Sequence, residues 1–182
     1  MRQGASHTCK MIIRAIQYYF RAGQAAERNT TIADTSPAQD VCWEAYLGRW
    51  YEWARYETPF EYGLDEVYTE YEATEDGKLN ICNYGTDANG NTHRARAKAK
   101  VAGAGKLNVS FIPLLRFLSS PYHVLYVNES YSAALVSNES GSCLWLLGRT
   151  PCFSDDEFEE LEDEAHRRGF RTDTLRLTRQ AD

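Results

Sequence analysis

The 182-residue chain contains no run of 18 apolar residues and no excess of positive charge. A helix that crosses a bilayer needs about 20 mostly apolar residues in succession, so no membrane-spanning helix is predicted. The 26 acidic residues outnumber the 20 Lys and Arg residues, and the formal net charge is −6. A general nucleic-acid-binding protein would present a basic face, so no nucleic-acid partner is expected.

The sequence also lacks the short motifs that mark common metal and catalytic sites. Its five cysteines form no CxxC pair and no Cys/His cluster with zinc spacing, and its four histidines are far apart with no HExxH pattern. No GxSxG, P-loop or GxGxxG sequence occurs. We therefore expect no metal, no other cofactor and no enzymatic activity. An odd number of cysteines leaves at least one thiol unpaired in a monomer, and the sequence leaves disulfide formation open.

The first 40 residues have the composition of an N-terminal extension. Apolar residues at helical spacing predict a short helix over about 9–26, and the polar, turn-rich residues 29–40 are typical of a linker. Residues 11–20 come nearest to an export signal, but Arg14 and Gln17 interrupt them. The sequence thus predicts an extension over 1–40, either disordered or a misassigned signal region, and a folded domain over 41–182.

From residue 46 onward, the pattern predicts a series of short strands. Most show apolar and polar residues in alternation, and Asp/Asn-Gly and Ser-rich turns separate them. Ser154 and Glu157 then mark the start of a helix that Gly169 ends, and a last short strand is expected at about 174–178. The eight strands are predicted over 46–55, 64–73, 79–84, 92–101, 107–111, 122–127, 131–137 and 142–150.

The clearest alternation lies in residues 92–101. Ala95, Ala97 and Ala99 share one face, and four cationic residues share the other: Arg94, Arg96, Lys98 and Lys100. Small residues that face inward leave room for bulky neighbours or for a cavity. The cationic face is expected to be a solvated strand face, with contact to anionic headgroups as the less favoured alternative.

Strands that follow one another without helical crossovers favour an antiparallel meander. A barrel removes the exposed edges of such a sheet, and eight strands enclose room for one small ligand. We therefore predict an all-β protein: an eight-stranded antiparallel up-and-down β-barrel with one C-terminal α-helix packed outside.

Three blocks of sequence resemble the lipocalin family, in particular the bacterial outer-membrane lipoprotein group, which is related to plant temperature-induced lipocalins and apolipoprotein D. They are Tyr46-Leu47-Gly48-Arg49-Trp50-Tyr51-Glu52 with Ala54-Arg55, Tyr131 with Ala134-Leu135-Val136, and Leu144-Trp145-Leu146-Leu147-Gly148-Arg149-Thr150-Pro151 followed by the acidic helix. In that order they cover about three quarters of the chain.

The resemblance implies a calyx in which Gly48, Trp50 and Arg149 form the structural motif of the closed end. Trp50 would plug that end, and Arg149 would pack over its ring as a cation–π pair. The implied function is storage or transport of a lysophospholipid or fatty acid for membrane maintenance under stress. Bacterial members carry an export signal and a lipobox cysteine, which we do not find here. The compartment stays open between the outer membrane or periplasm and the cytoplasm.

Alternation along the predicted strands assigns residues to the barrel interior, where apolar side chains with a few polar groups suit an acyl chain. The predicted ligand-binding residues are Tyr126, Trp145, Glu52, Ala54, Val67, Thr69, Tyr71, Ala97, Val109 and Phe111.

An apolar rim is expected from two loops, with Phe60 and Tyr62 in one and Ile112, Leu114, Leu115, Phe117 and Leu118 in the other. Such a patch marks a lipid, membrane or dimer surface. The alternative function is therefore a non-catalytic structural module that docks this rim on a membrane or a partner chain, including a second copy.

Overall fold

The computed structural model describes residues 33–59, 61–111 and 119–181. At Phe111, Ser119 and Ser120 it describes the backbone alone. The helix predicted over 9–26 and the rim residues Phe60 and Ile112–Leu118 lie outside the described residues. The elements in chain order are α1 (Trp43–Tyr46), β1 (Gly48–Tyr56), β2 (Asp65–Ala73), β3 (Leu79–Thr86), β4 (Thr92–Gly103), β5 (Lys106–Phe111), β6 (Ser119–Val127), β7 (Ala133–Asn138), β8 (Leu144–Gly148), α2 (Asp155–Arg167), a 3₁₀ turn (Thr172–Thr174) and β9 (Leu175–Leu177).

Each of the first seven strands pairs antiparallel with the next, and β1 pairs with both β8 and β2. This closes the eight strands into a barrel, with β9 added beside β1. The predicted fold class is confirmed, including the short last strand and the helix outside the barrel.

The ladder between β1 and β2 that closes the barrel is short, and the C-terminal segment extends the contact between these strands. The two strands pair only from Gly48 to Tyr51 on β1, after which β1 pairs with β9. The Gln180 side-chain amide donates to the carbonyls of Glu52 and Val67, at 2.7 Å and 2.9 Å, and so joins β1 to β2 where their own ladder has ended. Residues near the C-terminus are therefore part of the barrel wall.

The barrel separates two apolar cores. The inner core contains residues from each of the eight barrel strands and from the helix α1, including Trp50, Ile81 and Val109. The outer core lies between the barrel wall and α2, where Leu161 and Ala165 of the helix are buried. Ser154 caps α2 by accepting a hydrogen bond from the Glu157 backbone N–H at 3.3 Å, as the sequence predicts.

Register shifts in β1 and β6 reverse the alternation of the residues beyond them. In β1 the register against β8 shifts between Glu52 and Ala54, so that Trp53 and Ala54 both belong to the outer core. In β6 the register against β7 shifts between Val124 and Tyr126, so that Leu125 and Tyr126 both face the outer core. A bulge places two residues opposite one, which a strict period of two does not anticipate.

The bulge in β1 turns the Trp53 side chain outward, where it packs against Gly148 and leaves no space for a larger residue at that position. A Cβ at this glycine would lie 1.8 Å from Trp53 Cζ2, so no side chain fits there. The Trp53 indole donates to the Thr150 carbonyl at 2.8 Å and meets the Phe153 ring edge-on. The glycine of the third sequence block therefore allows β8 to pass directly beneath this ring.

Two segments differ from the sequence-based expectation. Residues 43–46 form the helix α1, so the first strand begins at Gly48 rather than at Tyr46. Within the expected linker, Asp34 N–H donates to the Arg168 carbonyl and Ala38 N–H to the Val124 carbonyl, at 2.8 Å and 2.9 Å. This part of the extension lies against the barrel, because the loop between α2 and β9 and strand β6 offer it free carbonyls.

Candidate site in the barrel interior

The barrel encloses a cavity of about 80 Å³, which we call the barrel cavity. Its apolar and aromatic lining comprises Tyr71, Ile81, Val109, Pro121, Tyr122, Trp145 and Leu147. Its carboxyl, amide and hydroxyl lining comprises Glu52, Glu61, Thr69, Asn83, Ser137 and Asn138. An apolar wall that faces a few convergent polar groups is the usual composition of a small-molecule site.

The structure brings half of the ten predicted ligand-binding residues together around this cavity: Glu52, Thr69, Tyr71, Val109 and Trp145. Val67 and Ala97 are buried but do not line it. The backbone of Phe111 pairs with Ala97, and its side chain lies outside the described residues. Ala97 and Ala99 face the inner core, whereas the four cationic residues of β4 are exposed.

The prediction that Ala54 and Tyr126 face the interior is wrong. Ala54 belongs to the outer core, and the Tyr126 hydroxyl donates to Glu160 on α2. Both residues follow the extra residue of a β-bulge, so each lies on the face opposite to the one that alternation assigns. Burial and the neighbouring Glu160 raise the pKa of the Tyr126 phenol to about 12.

Trp50 and Arg149 close one end of the barrel, where the resemblance places them. The Arg149 guanidinium carbon lies 3.9 Å from the centre of the Trp50 ring, and the fully buried indole donates to the Tyr46 carbonyl at 2.8 Å. Gly48 has φ of +95°, and a Cβ there would meet the Arg149 guanidinium at 3.4 Å. A glycine thus gives the chain the turn and the space that this arrangement needs.

Three phenols form a hydrogen-bonded chain between that closed end and the cavity. The Tyr122 hydroxyl lies 3.0 Å from the Tyr46 hydroxyl and 2.7 Å from the Tyr71 hydroxyl. Burial raises the pKa of all three, so they remain neutral and able to donate. Because Tyr71 and Tyr122 line the barrel cavity, its floor is a surface of phenol groups.

At the other end of β1, a buried arginine holds a group of carboxylates. Arg55 is fully buried, and its guanidinium donates to Glu52 at 2.5 Å and to Glu57 at 3.1 Å. It also donates to the carbonyls of Glu61 and Leu64, at 2.7 Å and 3.1 Å. Burial lowers the pKa of Arg55, but the charge of Glu52 and its hydrogen bond outweigh this and leave the pKa above its ordinary value.

Glu61 occupies the loop between β1 and β2 and points its carboxyl group at the cavity. Its Oε2 accepts hydrogen bonds from the Trp145 indole and the Thr58 hydroxyl, both at 3.1 Å. Burial raises the pKa of Glu61 to about 8, and the nearby charge of Glu52 acts in the same direction. Trp145, a predicted site residue, is therefore held against an acid that the sequence analysis did not select.

Sequence reasoning missed Glu61, Asn83 and the phenol Tyr122. Glu61 lies in a Pro- and Gly-containing loop, and loops have no period that would indicate an inward side chain. Asn83 and Tyr122 lie on strands, and continuing the alternation from Ile81 and Val124 would have placed both on the interior face.

Within residues 33–59, 61–111 and 119–181, no group of three or more His, Cys, Asp and Glu residues is arranged to hold a metal ion. None of the helices among these residues has the length and apolar character needed to cross a membrane.

Comparison with known proteins identifies the family. A family model described as a lipocalin-like domain matches residues 41–180. The outer membrane lipoprotein Blc of Escherichia coli K12 is 37% identical over 129 residues, which are 69% of this chain and 71% of that protein. Temperature-induced lipocalin-1 of Arabidopsis thaliana is 32% identical over 152 residues, covering 76% and 79%. Mouse apolipoprotein D is 28% identical over 145 residues, 75% of each chain.

Solved structures share the barrel at much lower identity. Insecticyanin from the tobacco hornworm Manduca sexta superposes with a TM-score of 0.69 at 15% identity, covering 84% of this chain and 87% of that one. Lobster apocrustacyanin A1 gives 0.63 at 18% identity, with 76% and 79% covered. These structures support the fold alone. The extent of the family match and the identity to the bacterial and plant relatives show that this chain belongs to the lipocalin-like domain family.

Proposed function

We propose that this protein binds a single-chain lipid, either a lysophospholipid or a fatty acid, in the barrel cavity and stores or transports it without chemical turnover. The observation that supports this most directly is the cavity inside the barrel, in which Ile81, Val109 and Leu147 face a set of polar groups. An apolar wall accepts an acyl chain, and the polar groups orient its head. Two relatives, an outer membrane lipoprotein and a temperature-induced lipocalin, accord by name with a role in membrane maintenance under stress.

The size of the cavity sets a condition on this proposal. Small-molecule sites usually measure about 300–1,000 Å³, whereas the barrel cavity measures about 80 Å³. A complete acyl chain therefore enters only if interior side chains move or if part of its length stays outside the barrel. Trp145 is half-buried on the cavity wall, and its indole fluorescence should report such a displacement.

The first test is native mass spectrometry of the purified protein, followed by denaturing extraction of whatever has bound. We expect one lipid per barrel, with a mass that identifies its class. Delipidated protein should then bind single-chain lipids saturably, with a change in tryptophan fluorescence. A barrel that purifies empty and leaves its fluorescence unchanged with lipids of every chain length would overturn the proposal.

A second candidate is docking on a membrane, a partner chain or a second copy of this chain through the loop between β1 and β2. The observation that favours it is Tyr62, whose side chain is 77% exposed in that loop. The discriminating variant is Ala97→Phe, which fills the inner core next to Ile81. If the cavity carries the function, this variant loses lipid binding and vesicle association together. Vesicle association that survives it, and that Tyr62→Ser abolishes, would favour docking.

A further inference from the structure

The lining of the barrel cavity is acidic. Two carboxyl side chains reach it, those of Glu52 and Glu61, and no lysine or arginine lines it among the described residues. An anionic ligand that enters a site of low dielectric constant needs a cationic partner there, because its lost hydration is otherwise not replaced. The charge of this lining therefore bears on which lipid headgroup the cavity accepts.

Arg55 is the cation that pairs with Glu52, and both of its terminal nitrogens already have partners. Its two terminal guanidinium nitrogens donate to Glu52, Glu57, Thr178 and two backbone carbonyls. The second oxygen of Glu57 accepts from Arg176 at 3.2 Å, so this ion pair continues outward to the surface rather than into the cavity. The third nitrogen, Nε, is buried and has no hydrogen-bond partner among the described residues. To pair with the terminal nitrogens, a ligand carboxylate would have to displace Glu52 or Glu57.

Both acids of the lining keep one oxygen available. Glu52 uses Oε1 to accept from Arg55 and Thr178, and Glu61 uses Oε2 to accept from Trp145 and Thr58. Among the described residues, nothing donates to Glu52 Oε2 or to Glu61 Oε1. Glu52 is 2% exposed, so the remaining acceptor of a buried side chain has only the cavity from which to receive a donor.

We propose that the barrel cavity selects an amphiphile with an ammonium group beside its acyl chain and rejects a free carboxylate, with Glu61 as the residue that determines this specificity. The inference rests on the proposed lipid-binding function and sharpens it. Of the two proposed ligand classes, an amine-bearing lysophospholipid matches the acidic lining, and a fatty acid does not. The ammonium N–H groups would donate to Glu61 Oε1 and, where that carboxyl is ionised, gain the attraction of an opposite charge.

The preference for an ammonium group over a carboxylate should grow as the pH rises and Glu61 loses its proton. The groups that face this carboxyl are Glu52 and Arg55 on β1, Thr58 in its own loop, Trp145 on β8, and Cys143 just before that strand. Burial and the charge of Glu52 raise the pKa of Glu61 to about 8. At lower pH Glu61 is protonated and does not repel a ligand carboxylate. At higher pH Glu61 loses this proton, and the repulsion returns.

The experiment compares three ligands of one chain length, dodecylamine, dodecanol and dodecanoate, each bound below its micellar concentration to delipidated full-length protein. Affinities are measured by tryptophan fluorescence at about pH 6 and about pH 9. We expect the amine to bind about tenfold more tightly than the carboxylate at the higher pH, and the difference to shrink at the lower pH. Glu61→Gln keeps the size and the acceptor for Trp145, and it should reduce the ratio about fivefold.

Two further variants complete the test. One is a control outside the cavity, and the other adds a negative charge to the cavity lining. Glu72→Gln removes an exposed acid from the outer face of β2 and should leave the ratio unchanged. Asn83→Asp adds a carboxylate to the cavity lining and should increase the ratio further. If dodecanoate binds as tightly as dodecylamine at the higher pH, or if Glu61→Gln leaves the ratio as it is, the specificity is overturned and lipid binding stands. If none of the three ligands binds, the proposed function itself fails.

Discussion

Two arginines at opposite ends of the barrel, Arg149 half-buried and Arg55 buried, are held in different ways. Arg149 at the closed end donates to the carbonyls of Ala45, Arg49 and Tyr131 and lies over the Trp50 ring. Among the described residues, no carboxylate forms an ion pair with it. Arg55 at the other end of β1 forms ion pairs with Glu52 and Glu57 and is completely buried.

The difference shows in the pKa of each guanidinium. Burial lowers the pKa of Arg149, and no carboxylate offsets this. For Arg55, burial acts in the same direction, but the charge of Glu52 and its hydrogen bond raise the pKa above its ordinary value. The closed end is thus held by backbone dipoles and an aromatic face, which do not titrate near neutrality. The other end is held by charges, so that end is expected to respond to pH and to charged ligands.

The largest effect is expected from breaking the charged end. Arg55→Met leaves Glu52 buried without its cation, and loss of one partner from a buried ion pair typically costs about 3–5 kcal/mol. Urea unfolding should show this as a lower midpoint at an unchanged slope. Adding Glu52→Gln to Arg55→Met removes the stranded charge and should restore part of the loss. A cost below about 1 kcal/mol would mean that the pair is not an ion pair in solution.

Breaking the closed end should cost less. Arg149→Ala removes a cation–π contact and leaves three carbonyls without this donor, for which about 2–3 kcal/mol is expected. Arg149→Lys keeps a cation over Trp50 without the planar fork, and it should recover part of that cost. The same urea titrations, repeated at about pH 5 and pH 8, should give an equal cost for Arg149→Ala at both. A cost that changes with pH would contradict the contrast between the two ends.

A pH titration sharpens the comparison at Glu61. Burial raises the pKa of this carboxyl from 4.5 to about 8, so between these values the folded protein holds a proton that the unfolded chain has released. The contribution of Glu61 to stability is therefore complete at the acidic end and declines as the pH rises toward 8. With allowance for partial solvent access, we expect a decline on the order of 1–2 kcal/mol between pH 5 and pH 8 relative to Glu61→Gln. Parallel pH profiles for the two proteins would show that Glu61 is ionised throughout.

The smallest effect is expected for an arginine that shares the chemistry of both ends but not their burial. The Arg49 guanidinium carbon lies 4.3 Å from the Tyr68 ring centre, and the same side chain pairs with Glu70 at 2.6 Å, yet it is 43% exposed. Solvent weakens both contacts, so Arg49→Ala should cost about 0.5 kcal/mol. Thermal unfolding of this variant beside Arg149→Ala tests whether burial sets the difference. Equal losses in the two variants would contradict that explanation.

The parts of the fold that could be predicted are those that depend on local pattern. A period of two identifies a strand wherever one face is buried, as in β4, where Ala97 and Ala99 are buried and Lys98 is exposed. Turns with Asp-Gly or Asn-Gly and the cap at Ser154 are also local. The three sequence blocks contain Gly48, Trp50, Gly148 and Arg149, and these positions admit few other residues because ring, guanidinium and backbone meet there.

The parts that could not be predicted depend on where the chain departs from its own pattern. One inserted residue in β1 moves Ala54 out of the interior, and one in β6 does the same for Tyr126, although neither sequence shows a break in its apolar character. The position of Glu61 depends on a loop that folds back until its carboxyl reaches Trp145, a residue 84 positions away.

The sequence by itself determined the strands and their order along the chain, since alternation acts between near neighbours, and its resemblance to a known family implied the contact of Trp50 with Arg149 at the closed end. Only the tertiary structure decided which side chains line the cavity and what charge it has. That charge results from Arg55 being used by Glu52 and Glu57 while Glu61 keeps one oxygen toward the interior. The interactions of a buried charge depend on the positions of all its partners in three dimensions. The sequence contains these partners but does not show which of them are in contact.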